Sequence, residues 1–118
     1  MNITIKTIPH EEQNYSTVGN YFDIDDEKYI LVSETGNDDY NFLISLHEFI
    51  EEHLTRRKGI TEQIITKWDL EHPEAIEPGE VNGCPYFSEH QIATNVEKFL
   101  CDLMGYTWQE YTDALSKL

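Results

Sequence analysis

The chain has 118 residues, 39% of them hydrophobic, which is enough for one globular domain and too short for two. Its formal net charge of −15 argues against direct binding to nucleic acid or to an anionic membrane surface, since both need basic patches. No apolar run reaches the roughly 18 residues of a membrane span, and two cysteines do not make a disulfide framework, so we expect a cytoplasmic protein.

The first third of the chain has the pattern of short strands. Ile3, Ile5 and the Thr7-Ile8 pair alternate well enough with polar residues to predict a first short strand, which ends at Pro9. Residues 21–24 and 29–33 predict a hairpin that is joined across the acidic stretch 25–28. These segments together predict a small antiparallel sheet of about three strands.

The next segment predicts two helices. Apolar residues recur at helical spacing from about residue 40 to residue 57 or 58, and Gly59 provides the stop. Thr61 is placed to cap a shorter helix that we expect to run from 62 to about 68.

A long loop separates this pair from two further predicted helices. Residues 69–86 hold three prolines and two glycines, and loops of this length in small domains often form lids over sites. Pro85 or Ser88 opens the next predicted helix, which continues to Met104, and Thr107 caps the last one.

These elements define an α+β fold. We expect one domain, residues 1–118, in which the β-rich part covers about 1–35 and a bundle of about four helices covers 40–118.

The sequence His-Glu-x-x-Glu on the first helix is the strongest candidate for a chemical site. His47 and Glu51 are one helical turn apart and project from the same side, so that both could hold one metal ion. Glu48 lies on the neighbouring flank, from which its carboxylate could reach a metal-bound water. The spacing therefore favours a metal site on this helix, with Glu48 close to the ion.

A helical wheel places this motif at the edge of the predicted core. We expect His47 and Glu51 to be partly desolvated, and we expect Glu52 and Ser45 to face solvent. A buried carboxylate needs a cation, a metal or a proton. The apolar residues that define the predicted buried face are Leu43, Leu46, Ile50 and Leu54.

A structural interpretation of the same motif stays open. A chain with five histidines and 23 acidic residues produces such short motifs by chance. His47 and Glu51 could pair with each other, or with Arg56 and Arg57 along the helix, at a few tenths of a kcal/mol per exposed pair.

The helix that continues to Met104 carries a second histidine that could complete the site. If the two long helices pack side by side, His90 could face His47 and Glu51, giving the His2Glu ligand set of catalytic zinc sites such as that of thermolysin. Glu97 could then accept the second imidazole N–H of a ligating histidine. The alternative for His90 is an exposed residue in a first helical turn. The predicted core face of this helix is Ile92, Ala93, Val96, Phe99, Leu100 and Leu103.

Asp69 lies at the predicted junction between the second helix and the long loop. It could act near the metal, as a ligand or as a neighbour of the ligands, or it could anchor the loop.

Five segments spread over most of the chain carry a resemblance to a known family. They are 15–21, 42–51, 57–60, 77–79 and 84–86, the last followed by His90. Together these segments resemble a family of small uncharacterised proteins encoded by bacteriophages and prophages, and that resemblance implies no activity.

The His-Glu-x-x-Glu helix is more loosely similar to the active-site helix of zincin-like metallopeptidases. The resemblance implies that Glu48 is the general base and that His47 and Glu51 are ligands. The sequence departs from the zincin pattern at Glu51, where the second histidine usually stands.

Two functions therefore follow as expectations. The first is a metal-dependent hydrolase with zinc as the expected ion and an unknown substrate. The second is a non-catalytic acidic accessory protein of phage origin that binds a host protein, in which the His/Glu cluster is structural.

Overall fold

The computed structural model describes all residues, 1–118, as a three-stranded sheet followed by four helices. The predicted α+β fold is confirmed. None of the helices is long and apolar enough to span a membrane. The strands are β1 (Asn2–Ile8), β2 (Gly19–Ile24) and β3 (Glu27–Ser33), and the helices are α1 (Asp38–Arg57), α2 (Glu62–Glu71), α3 (Phe87–Leu103) and α4 (Trp108–Ser116).

The sheet has the strand order β1-β3-β2 and is mixed. The predicted hairpin is present, because β2 and β3 pair antiparallel around a turn in which Asp25 has a φ of 49°. The prediction of a purely antiparallel sheet is wrong, since β1 pairs parallel to β3. Between β1 and β2 the chain passes through a short 3-10 turn, His10–Glu12. Strand β2 then begins at the end of the sheet where β1 ends.

Helix α1 is the central element of the fold and begins and ends as its sequence predicts. The side chain of Asn37 accepts hydrogen bonds from the backbone N–H groups of Asp39 and Tyr40, which caps the first turn. Gly59, with a φ of 77°, follows its end. Helix α2 is one turn longer than predicted and ends at Glu71.

Helices α1 and α3 lie side by side and run antiparallel. His47 contacts Glu97, and Lys58 at the end of α1 forms an ion pair with Glu89 in the first turn of α3, at 2.6 Å. The hydrophobic core lies between α1, the sheet and α4. Its buried members include Tyr21, Ile30, Val32, Leu43, Ile44 and Tyr111.

The buried faces of α1 and α3 differ from those that the apolar pattern predicts. Glu52 is 1% exposed and pairs with Lys28 and Arg56, so the prediction that it faces solvent is wrong. The buried residues of α1 are Tyr40, Leu43, Ile44, His47, Glu51, Glu52 and Thr55.

Helix α3 is turned in the same way. Its buried face is mostly polar. The polar side chains on this face can be buried because they form hydrogen bonds with α1 and α4. The buried residues are Glu89, His90, Ala93, Thr94, Glu97 and Cys101, whereas Ile92, Phe99 and Leu103, predicted to lie in the core, are exposed.

Candidate metal centre

The site begins with two side chains of α1. His47 and Glu51 lie one turn apart, and the Nε2 atom of His47 is 3.1 Å from Oε2 of Glu51. Both residues are buried, at 9% and 5% exposure. They lie in the middle of the buried face of α1 and not at its edge, so water is largely excluded from this pair.

Helix α3 supplies the third side chain. The Nδ1 atom of His90 lies 3.0 Å from the same Oε2 atom of Glu51. One donor atom from each of His47, Glu51 and His90 lies within 4.8 Å of the others. The three predicted ligands therefore converge from two helices.

The spacing of these atoms fits a metal ion as well as hydrogen bonds. Donor atoms bound to one zinc ion at about 2.0–2.2 Å lie roughly 3.3–3.6 Å apart in tetrahedral geometry. The two observed distances to Glu51 are shorter by only a few tenths of an ångström. Two imidazoles and one carboxylate are also a donor set that zinc prefers, so the residues fit this ion.

Carboxylate and hydroxyl groups behind the site fix its side chains. The Nδ1 atom of His47 lies 2.6 Å from Oε1 of Glu97, which is the contact predicted for an orienting carboxylate. The hydroxyl of Tyr111 donates to the other oxygen of Glu97, and the hydroxyl of Tyr21 donates to Oε1 of Glu51 at 3.0 Å. Glu51 Oε2 and the Nε2 atom of His47 are thereby turned towards the same point.

Hydrogen bonding sets the charges of these groups. Burial alone would lower the pKa of His47, but its hydrogen bonds to Glu51 and Glu97 hold that pKa well above the usual value. Burial alone would raise the pKa of Glu51, but hydrogen bonds from His47 and His90 hold it at about 2. The metal-free site is therefore a carboxylate between imidazoles, and a bound metal would replace protons.

Glu48 lies in the same cleft and is partly buried. Burial, followed by the negative charge of Glu51, raises the pKa of Glu48 well above its usual value. Its side chain packs against Gly19, where an added Cβ atom would lie 2.6 Å from the Glu48 side chain. A carboxyl group with a raised pKa beside the candidate ligands has the properties of a general base.

The long loop covers His90, as its length suggested. An added Cβ atom on the buried Gly79 would lie 2.6 Å from the imidazole ring of His90, so only glycine fits here. The indole N–H of Trp68 donates to the carbonyl of Pro78 at 2.8 Å and holds this part of the loop. The carboxylates of Glu77 and Glu80 lie 3.8 and 3.9 Å from Nε2 of His90.

The cleft is small and polar, with a cavity volume of about 70 Å³. One water molecule needs a cavity volume of roughly 10–15 Å³, so the cleft has room for an ion and a few waters or a small chemical group. Acidic residues line it and no lysine or arginine does. The lining carboxylates are Glu48, Glu51, Glu62, Asp69 and Glu77.

Asp69 lines the cleft but does not contact the ligand set. Its carboxylate accepts hydrogen bonds from the hydroxyls of Tyr15, at 2.9 Å, and Tyr86. These bonds join α2 to the segment before β2 and to the end of the long loop, which corresponds to the predicted role of loop anchor. Burial raises the pKa of Asp69 above its usual value.

Sequence reasoning missed several residues of the site. No local pattern marks Tyr21 or Tyr111 as part of a site, because their hydroxyl contacts depend on elements far away in the chain. Gly79 could have been noticed as a glycine after a proline in a long loop, but its contact with His90 could not.

No known protein family, no curated protein and no solved structure matches this chain. The site therefore has to be interpreted from its own chemistry.

Proposed function

We propose that this protein is a metal-dependent hydrolase in which His47, Glu51 and His90 hold a zinc ion. The observation that carries the proposal is the convergence of these three donors, two imidazoles and one carboxylate, in one polar cleft. We also propose that the protein is encoded by a phage or prophage, on the strength of its resemblance to such proteins, and that it acts in the cytoplasm.

Glu48 acts as the general base in this proposal. A zinc ion bound by the three ligands would make a water molecule acidic near neutral pH. Glu48, which lines the same cleft and has a raised pKa, would take a proton from a water molecule as its oxygen adds to the carbonyl carbon of an amide or ester. It would then give that proton to the amine or alcohol that leaves when the bond to the carbonyl carbon breaks. Glu97, which holds the Nδ1 atom of His47, would keep the Nε2 atom of that ring available as a ligand.

The cleft sets a limit on the substrate. A volume of about 70 Å³ admits a small group and not a folded chain, so the scissile bond enters on a flexible segment or a small molecule. Five acidic side chains line the cleft and no lysine or arginine does, which favours a neutral or cationic group next to the bond.

The experiment compares the zinc-loaded parent with Glu48→Gln on a library of fluorogenic peptides and on nitrophenyl esters. We expect turnover by the parent, and we expect Glu48→Gln to keep its zinc while losing about 10²–10⁴-fold in rate. Glu71→Gln, an exposed carboxylate on α2, is the matched control and keeps full activity. Full turnover by Glu48→Gln would contradict the proposed role. Absence of turnover in a zinc-loaded parent would favour the non-catalytic accessory protein.

A further inference from the structure

The outer surface of the α1 and α3 pair is apolar, although it faces solvent. Both helices turn polar side chains inward to the candidate metal centre, and nine of their large apolar residues lie outside the buried face. We call this surface the outer face. It consists of Phe42, Leu46, Phe49 and Ile50 of α1 and Ile92, Val96, Phe99, Leu100 and Leu103 of α3.

These residues form one continuous surface. At about 100° per residue, each helix places them in a single sector beside its contact with the other helix. Because the two helices run antiparallel, both sectors open to the same side of the pair, away from the sheet and α4. The half-buried Leu46, Ile50, Val96 and Leu100 fill the seam between the more exposed residues.

The outer face matches in area the largest apolar patches of monomeric proteins, which are often functional. Its five most exposed members are Phe42 at 49%, Phe49 at 39%, Ile92 at 49%, Phe99 at 67% and Leu103 at 70%. At roughly 200 Å² per large side chain, they alone expose about 500 Å² of apolar surface. The largest patch on a typical monomer is about 300–600 Å², and two such faces together reach the roughly 1,000 Å² that a specific interface needs.

We propose that the outer face binds the outer face of a second copy, which gives a two-fold dimer with α1 packed antiparallel on α1. The charges at the two ends of α1 favour a second copy of this chain as the partner and an antiparallel orientation of the two α1 helices. The helix begins with Asp38 and Asp39 and ends with Arg56 and Arg57. A two-fold axis across the helices therefore places the acidic end of each α1 against the basic end of the other.

The alternative two-fold axis, parallel to the helices, is disfavoured by the same charges. It would pack α1 against α3 of the second copy and bring Asp38 towards Asp102 at the end of α3. The last turn of α3 has no basic residue to compensate. The proposal does not depend on the metal site or on hydrolysis.

The test is the mass of the protein in solution, measured by light scattering and sedimentation equilibrium over a range of concentrations. The parent is expected at twice 13.8 kDa. Phe49→Glu combined with Phe99→Glu is expected to halve that mass and to keep the parent's circular dichroism. Leu70→Glu, at a 59% exposed leucine on α2 outside the outer face, is the matched control and stays dimeric.

Charge exchange tests the orientation. Asp38 and Arg57 are both exposed. Asp38→Lys and Arg57→Glu should each weaken the dimer, and the double variant should restore it, because the opposite charges again face each other. A monomeric parent, a dimer that survives the Phe49 and Phe99 changes, or loss of the dimer in Leu70→Glu would overturn the proposal. Double-variant dimers weaker than both single variants would overturn the antiparallel arrangement.

Discussion

The imidazole of His47 bridges two carboxylates, with Nδ1 2.6 Å from Glu97 and Nε2 3.1 Å from Glu51. Glu97 lies on α3 and Glu51 on α1, so the hydrogen bonds of one imidazole ring link the two long helices. A histidine held from behind by a carboxylate, with its second nitrogen directed at a cluster of donors, has the arrangement of a metal ligand.

Glu97→Gln tests the orienting role of that carboxylate. We expect zinc affinity to fall by about 10- to 100-fold, because the neutral amide no longer stabilises the ligating tautomer of His47. Competition with a fluorescent chelator measures the affinity. Asp102→Asn, an exposed change on the same helix, is the control and should leave the affinity unchanged. Equal affinities in Glu97→Gln and the parent would show that the carboxylate does not support the ligand.

Alanine substitutions at two glycines of the site are expected to affect different properties of the protein. Gly79→Ala forces a methyl group against the buried ring of His90, and we expect it to weaken zinc binding and to cost about 1–3 kcal/mol in the free energy of unfolding. Gly19→Ala meets only the flexible side chain of Glu48, so zinc should stay bound while turnover falls. Urea unfolding, zinc titration and the rate assay measure the three quantities. Loss of zinc in Gly19→Ala but not in Gly79→Ala would contradict the assignment.

The metal-free protein should lose stability as pH rises from about 5 to 8. Folding raises the pKa values of Glu48 and His47, and it raises that of Glu77 to about 7 although half of that side chain is exposed. The folded state therefore binds more protons than the unfolded state across this range, and a raised pKa contributes stability only at lower pH. Glu51, whose pKa is held at about 2, adds stability above about pH 4.5 and loses it only towards pH 2.

Urea unfolding in the presence of a chelator measures this slope. Glu48→Gln should flatten it, whereas Glu71→Gln should not. Excess zinc should reverse the slope, because zinc competes with protons for His47 and its stabilisation grows with pH. Stability of the metal-free protein that increases between pH 5 and 8 would be inconsistent with these pKa shifts.

The buried ion pair between Lys28 and Glu52 gives a prediction on stability alone. Glu52 is 1% exposed, and its Oε2 atom has no hydrogen-bond partner. Lys28→Met should destabilise by about 1–3 kcal/mol, because it leaves the buried carboxylate with Arg56 only. Glu52→Met should cost less, since Lys28 keeps its 2.7 Å contact with Asp23. Unfolding free energies of both variants and of the double variant measure the difference, and the reverse order would contradict this interpretation.

Local signals predicted the elements of this fold well. The hairpin, the stop of α1 at Gly59 and the caps at Thr61 and Thr107 are present, because each depends on residues within a few positions. The direction of β1 was not predictable in this way, since it depends on the path of the chain between Pro9 and Val18.

The inner faces of α1 and α3 were the main failure of the apolar pattern. A helical wheel reports where apolar residues lie, and it assumes that this side is buried. Here His47, Glu51, His90 and Glu97 satisfy one another between the helices, so the polar side is inside. The convergence of His47, Glu51 and His90 was predictable once the two long helices were assumed to pack side by side, whereas the hydroxyls and glycines that shape the site depend on tertiary contacts.

The most direct measurement is zinc content and affinity in untagged protein, by elemental analysis after dialysis and by calorimetric titration. One zinc ion per chain is expected in the parent, with binding lost in His47→Ala, Glu51→Ala and His90→Ala. His53→Ala, an exposed histidine on the same helix, should bind like the parent. Zinc binding that is absent in the parent, or unchanged in the three ligand variants, would contradict a metal centre at this position.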